Sequence, residues 1–182
     1  MSVRAGSVEY VLVTSYGADR PGIVEELTQW LLDERGNVEE SRMARLGSEF
    51  VTLVLVAGPV GLAGALEASR PAFEQRSGLH VVLKPVAAPA AKPAEPMLRY
   101  RLEATALDHP GIVNRIAGVL RSHGASIAEA TTHLEQAPFT SAPVFRVSME
   151  ADVPARTSVA RLRADLAGAA ASDGIDVTLM PR

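Results

Sequence analysis

The chain contains no cysteine. That excludes disulfides, thiolate nucleophiles and cysteine-ligated metals, and it is compatible with a cytoplasmic protein. Long hydrophobic runs are also missing. Apolar stretches are broken by Arg, Glu or Pro, so no segment reads as a membrane span. Residues 1–7 carry no apolar h-region, so no secretory leader is expected. A basic excess is absent: net charge is −3 overall, −3 over residues 1–84 and zero over residues 98–182. Neither half suits a phosphate backbone, and direct binding to DNA or RNA is not expected. There is no P-loop, no G-x-G-x-x-G opening a helix and no nucleophile–base–orienter set, so the chain does not read as an enzyme. His80, His109, His123 and His133 never pair at helical spacing, and no carboxylate array lies beside them. The sequence calls for no metal and no cofactor.

What the chain does contain is a repeated phrase. Asp19-Arg20-Pro21-Gly22-Ile23-Val24 recurs as Asp108-His109-Pro110-Gly111-Ile112-Val113, 89 residues later. The correspondence extends to Leu31 and Leu120, Val38 and Ile127, and Glu40 and Glu129. A repeat this long means two copies of one small domain. The 182 residues, 47% apolar and 21% charged, suffice for two such cores. Residues 85–97 hold four prolines spaced by alanines, an extended and semi-rigid linker. The domains are therefore expected over residues 1–84 and 98–182.

In the first copy, residues 10–15 read as a strand. Residues 21–35 read as a helix whose apolar face is Ile23, Leu27, Trp30 and Leu31, ended by Gly36-Asn37. Residues 38–46 and 50–57 form a hairpin about Gly47-Ser48. Residues 62–76 read as a second helix, with Leu62, Leu66 and Phe73 inward, that is short, bent or split at Pro71. Residues 79–84 close the unit as a strand. The second copy has strands at 99–106, 127–135, 144–150 and 175–180, and helices at 110–123 and 154–171. Residues 136–143 replace the tight hairpin turn, as a tolerated insertion or a lid. The order β-α-β-β-α-β predicts an α+β fold of two ferredoxin-like domains in tandem. Each is an antiparallel four-stranded sheet with helices on one face. The other face of each sheet should be apolar, as for Val51, Leu53 and Leu55 against Val54 and Val56. The repeats are then expected to pack together and the chain to form a homodimer.

The repeated phrase also carries chemistry. Pro21 and Pro110, placed near the first helical turn, give up an N–H that has no intrahelical partner. Gly22 and Gly111 either serve the turn alone or let another group approach the backbone. The remaining N–H groups lie at the positive end of a helix dipole, a seat for a carboxylate. Asp19 and Asp108 either cap the helix or meet a ligand's ammonium group. Arg20, Ile23, His109 and Ile112 complete the candidate binding set. His109 either bonds the ligand or is a solvated turn residue. Asn37 either caps the helix end or contacts a ligand. Trp30 reads as core or interface packing, Glu25-Glu26 and Glu39-Glu40 as solvated faces, and Arg42 and Arg45 as an exposed edge or a partner contact.

The strand–turn–helix opening with Asp-x-Pro-Gly, on this element order, resembles the ACT domain, an amino-acid-sensing regulatory module. The segments Gly17 to Val24 and Asn37 to Phe50, with Glu40-Ser41-Arg42 and Leu46-Gly47-Ser48-Glu49-Phe50, resemble the glycine cleavage system transcriptional repressor family. That resemblance covers nearly the whole chain. It implies a cytoplasmic regulator that senses a small amino acid, glycine by preference, and acts through a partner transcription factor. The alternative is an ACT-type regulator that controls a metabolic enzyme by direct contact. An RNA-recognition module shares the element order, but its third strand needs basic and aromatic stacking residues that residues 50–56 and 144–150 lack.

Overall fold

The computed structural model of the protein describes residues 8–88, 95–136 and 143–182. The chain divides into two units between Ala90 and Ala91. The first holds β1 (Val8–Ala18), α1 (Ile23–Asp33), β2 (Asn37–Leu46), β3 (Glu49–Pro59), α2 (Leu62–Ser77) and β4 (His80–Val86). The second holds β5 (Met97–Leu107), α3 (Ile112–Ser122), β6 (Ser126–Gln136), β7 (Pro143–Pro154), α4 (Val159–Ala171) and β8 (Asp176–Pro181). The sheets have strand orders β2-β3-β1-β4 and β6-β7-β5-β8, antiparallel throughout. This is the expected ferredoxin-like pair. Of the expected loop 136–143, Gln136 ends β6 and Pro143 starts β7, and residues 137–142 lie outside the described residues. Of the expected linker 85–97, Pro85 and Val86 belong to β4 and Met97 to β5, because the strands run further than their apolar cores, and residues 89–94 lie outside the described residues.

Alternation along the strands decides which face is covered. In the first unit Val11, Val13, Val54 and Val56 are buried with Ile23, Leu27, Leu31, Leu62, Leu66 and Phe73. Trp30 stacks on Phe73 with ring centroids 4.4 Å apart, and its Nε1–H donates to Ser69 Oγ at 2.8 Å. Ser15 and Thr52 are directly opposed in this buried layer and bond hydroxyl to hydroxyl at 2.8 Å. The second unit buries Leu102, Ala104, Val147 and Met149 with Ile112, Ile116, Leu120, Leu162 and Leu166. Both β2 and β6 carry an irregularity at the same place, between Val38 and Glu40 and between Ile127 and Glu129.

Several local expectations need correction. α2 runs unbroken through Pro71. Pro71 is solvent-exposed, Leu66 and Phe73 are anchored in the core on either side, and Arg70 bonds both Glu67 and Glu74 across it. α4 starts at Val159, because Pro154 still belongs to β7 and its carbonyl accepts the Thr157 N–H of a tight turn. Pro21 and Pro110 precede their helices, which start at Ile23 and Ile112. The end of α1 is turned by Arg35 (φ 61°), not by the glycine after it. Gly36 serves packing: a Cβ there would lie 2.6 Å from Val56 Cγ1 and 3.0 Å from the Leu31 carbonyl oxygen. In the second unit the left-handed residue is Gly124 (φ 71°) and alanine, Ala125, follows it.

The sheet faces opposite the helices differ between the repeats. In the first unit one row across the sheet reads Glu40, Leu55, Leu12, Lys84, and the next Arg42, Leu53, Thr14, Val82. Its middle is apolar, as expected. In the second unit the matching rows read Glu129, Glu150, Arg101, Met180 and Thr131, Ser148, Glu103, Thr178. Here Arg99 makes a double bond pair to Asp152 at 2.8 and 3.0 Å, Ser148 donates to Glu103 at 2.8 Å, and Arg101 and Arg182 lie against Glu150. The expectation of an apolar open face on each sheet therefore fails for the second. Charged strand positions suit a face open to water, and their cross-strand pairing adds modestly to the sheet.

Candidate functional site

Each repeated phrase forms the turn between the first strand of its unit and the following helix. The Asp19 N–H donates to the Ser48 carbonyl at 2.9 Å, and the Asp108 N–H to the Pro143 carbonyl at 3.1 Å. The turn is thus pinned to the neighbouring hairpin in both repeats. Gly22 and Gly111 are the N-cap residues, at φ 89° and 101°. That left-handed conformation penalises any side chain with a Cβ. The first intrahelical bonds are Glu26 N–H to Gly22 and Arg115 N–H to Gly111, both 2.9 Å. Amides earlier in the first turn have no intrahelical acceptor.

Capping by the aspartates does not occur. Neither carboxylate takes a bond from its helix, because a left-handed glycine holds the cap position. Asp19 instead lies 3.7 Å from the Arg45 guanidinium on edge strand β2. A cleft of about 310 Å³ is lined by Asp19, Arg20, Gly22, Ile23, Val24, Glu25 and Phe50. Val24, Glu25 and Phe50 were not among the expected residues. Phe50 was findable from the hairpin register, since it stands opposite Gly17 at the end of β1.

The chain itself demonstrates what such a turn attracts. α2 also opens on a left-handed glycine, Gly61 (φ 96°), and there the Glu9 carboxylate accepts the Gly61 N–H at 2.8 Å. Among the described residues no carboxylate takes the corresponding place at Gly22 or Gly111.

Arg20 is held by the fold. Its guanidinium bonds both oxygens of Glu26 at 2.7 Å and the Ser77 carbonyl at 2.8 Å, and reaches the Pro21 carbonyl at 3.3 Å. These bonds hold the Glu26 carboxyl below the ordinary carboxylate range and raise the guanidinium further. Glu26 is accordingly a clamp, not part of a solvated face. In the second repeat the clamp changes hands. Arg115 replaces Glu26 and pairs with Asp173 at 2.5 Å, at the end of α4. His109, in place of Arg20, keeps only the bond to the following proline carbonyl, Nδ1 to Pro110 at 3.1 Å, which puts the proton on Nδ1. It is half-buried, and its Nε2 is enclosed with no partner among the described residues, so it is not a solvated turn residue.

Asn37 does not join the phrase. It is the first residue of β2, pairs with Ala57, and donates to Glu39 at 3.2 Å. Phe50, beside the phrase, is at the other end of β3 from Ala57, so the two lie at opposite ends of the sheet. Asn37 instead lines a separate cleft of about 670 Å³ with Tyr10, Arg35 and Glu39. Arg42 and Arg45 are exposed on edge strand β2, as expected. Trp30 is core. Among the described residues no group of three or more His, Asp or Glu side chains could hold a metal ion, and no helix is long and apolar enough to cross a membrane.

Comparison with known proteins sets this geometry among relatives. Residues 9–84 match the family described as ACT domain. The glycine cleavage system transcriptional repressor of Escherichia coli (strain K12) is 29% identical over 157 residues, covering 86% of this chain and 81% of that protein. The protein of the same name from Shigella flexneri matches with the same figures. A crystal structure of a protein of unknown identity from Galdieria sulphuraria superposes with a TM-score of 0.77 at 27% identity, over 97% of this chain and 99% of that one. Another, provisionally assigned as a glycine cleavage system transcriptional repressor, gives 0.72 at 19% identity over 94% and 96%.

Proposed function

We propose that this chain, a tandem ACT-domain protein similar along most of its length to the glycine cleavage system transcriptional repressor, is an amino-acid-sensing regulator that acts in the cytoplasm. The ligand favoured is glycine, and the output is contact with a partner transcription factor, without direct binding to DNA and without catalysis. The observation that carries this reading is the pair of helix openings at Gly22 and Gly111. Each combines a left-handed glycine, unaccepted first-turn amides and a nearby aspartate that does not cap. The seating of Glu9 on Gly61 supports a carboxylate as the matching group. In this reading the ligand carboxylate meets the amides of Gly22 and Ile23, and its ammonium group meets Asp19. Asp108, Gly111 and Ile112 do the same in the second repeat, beside His109. The cleft beside Phe50, of about 310 Å³, has room for a free amino acid, and the preference for glycine rests on the likeness to the glycine cleavage system transcriptional repressors. Arg20 and Pro21 position the turn, and Asn37 is outside it.

Isothermal titration of the full chain against the twenty amino acids is the test. Because Asp19 caps nothing and its contact with Arg45 is long and exposed, Asp19→Ala should change thermal stability little while weakening binding about tenfold or more, as expected for a lost charged hydrogen bond. Gly22→Val should abolish binding at the first repeat. Titrations identical for wild type and both variants place the site elsewhere.

A further inference from the structure

The two sheets are built alike but present opposite chemistry on the side away from their helices. In the first repeat that side is made of Tyr10, Leu12, Thr14 and Tyr16 from β1 and Val51, Leu53, Leu55 and Ala57 from β3, flanked by Val82 and Val86 of β4. Leu53, Tyr16 and Val82 are 44%, 47% and 59% exposed. At the same rungs of the second repeat, Tyr10–Ala57 becomes Arg99–Asp152 and Leu12–Leu55 becomes Arg101–Glu150. An apolar face of this kind marks an interaction surface.

We infer that the open sheet face of the first repeat is a self-association surface whose occupant is the same face of a second copy of this chain. Three observations select that occupant. The first is size. Four strands about 4.8 Å apart and about nine residues long present roughly 600 Å² in projection. Their accessible area approaches the roughly 800 Å² per partner of a standard interface. The second is the condition of the sheet edges. β2 is guarded by Glu39, Glu40, Arg42 and Arg45 and by its irregularity, and β4 contains Lys84 and Pro85. Edge-to-edge extension is thereby discouraged, which leaves the face. The third is charge. In the row Glu40, Leu55, Leu12, Lys84 an acid ends one side and a base the other. A two-fold axis parallel to the strands turns β2 of one copy over β4 of its mate. Glu40, which holds Arg42 of its own chain at 3.1 Å, then also meets the partner's Lys84 on both rims, while Leu12, Leu53 and Leu55 close the centre. Stacked sheets pack nearly aligned, which this axis permits. The charged face of the second repeat offers no such match to an apolar surface.

Sedimentation velocity of the full chain across a micromolar concentration series tests this. Wild type should form a dimer. Leu53→Arg, at an exposed position that the monomer tolerates, should raise the dimer dissociation constant at least about 30-fold, as for loss of a central anchor. Val82→Lys is the second disruptive variant. Lys84→Glu should weaken association about three- to tenfold, and Glu40→Lys combined with Lys84→Glu should restore it. Ser148→Arg, at the matching rung of the second repeat, should leave it intact. A wild type that is monomeric at tens of micromolar, a Leu53→Arg dimer, or no rescue in the charge-swapped variant overturns the inference.

Discussion

Replacing Gly36 by alanine should destabilise the first repeat far more than a change of one methyl suggests. The new Cβ would sit 2.6 Å from Val56 Cγ1 and 3.0 Å from the Leu31 carbonyl oxygen, which already accepts the Gly36 N–H at 2.8 Å. Val56 is fully buried at the middle of the sheet. It has no free space to enter, and the carbonyl is fixed by the helix end. Overpacking of this kind costs about 1–3 kcal/mol. Trimming the neighbour should return part of that cost, so Gly36→Ala with Val56→Ala should be less destabilised than the sum of the single variants, by about 1 kcal/mol. Urea unfolding followed by tryptophan fluorescence is a selective assay. Trp30 is the single tryptophan of the chain and is stacked in the first core, so its signal reports that repeat alone. Ala125 occupies the corresponding position of the second repeat. An unshifted midpoint for Gly36→Ala, or strict additivity in the double variant, would refute the steric account.

Three further outcomes follow from other contacts. Removing one hydroxyl of the buried Ser15–Thr52 pair, by Ser15→Ala or Thr52→Val, should cost about 1–3 kcal/mol by the same assay, whereas replacing both should cost less than the two together. Arg35→Gly should stabilise the first repeat by about 0.5–1 kcal/mol, because relief of the left-handed strain exceeds the added freedom of the unfolded chain. Glu26 titrates below its ordinary value in the folded state because Arg20 bonds it. The clamp's contribution is therefore complete above about pH 4.5, the unperturbed value, and is lost as pH falls through the lower folded value. Glu26→Gln should accordingly separate from wild type near neutral pH and converge with it in acid, as read by Trp30 emission.

The fold was legible because helical periodicity and strand alternation act over many residues. Ile23, Leu27, Trp30 and Leu31 are all buried, as their spacing predicts. The features that escaped depend on one residue or on distant ones. Nothing local reveals that Arg35 takes the left-handed turn while Gly36 makes room for Val56, since Val56 arrives from another strand. An aspartate before Pro-Gly looks like a cap, yet a left-handed glycine at the cap position forecloses it. Pro71 survives inside α2 because tertiary anchors at Leu66 and Phe73 outweigh one missing backbone bond. Asn37 follows α1 closely in sequence, but one helix length carries it to the far end of the sheet from the phrase. Ion pairs such as Arg99–Asp152 require cross-strand register, which the polar pattern of β5 and β7 hinted at without fixing.

The two clamps at the helix openings restrict which segments can be exchanged between the repeats. Arg20 with Glu26 and Ser77 ties together the turn, the first helix and the end of the second, whereas Arg115 with Asp173 ties only the first helix to the end of the second, with the positive charge moved from the turn to the helix. A chain carrying one arrangement cannot reach the other by a single change. Glu26→Arg alone would set two guanidiniums against each other, and Arg20→His alone would strip Glu26 of its partner. A neutral turn residue has to precede the new arginine, and the aspartate at the far helix end has to arrive with it. Exchange between the two arrangements therefore calls for linked changes at the turn, the first helix and the end of the second helix. Recombining the halves, by moving a first helix from one repeat into the other, should fail unless the residue ahead of it and the residue ending the second helix travel too.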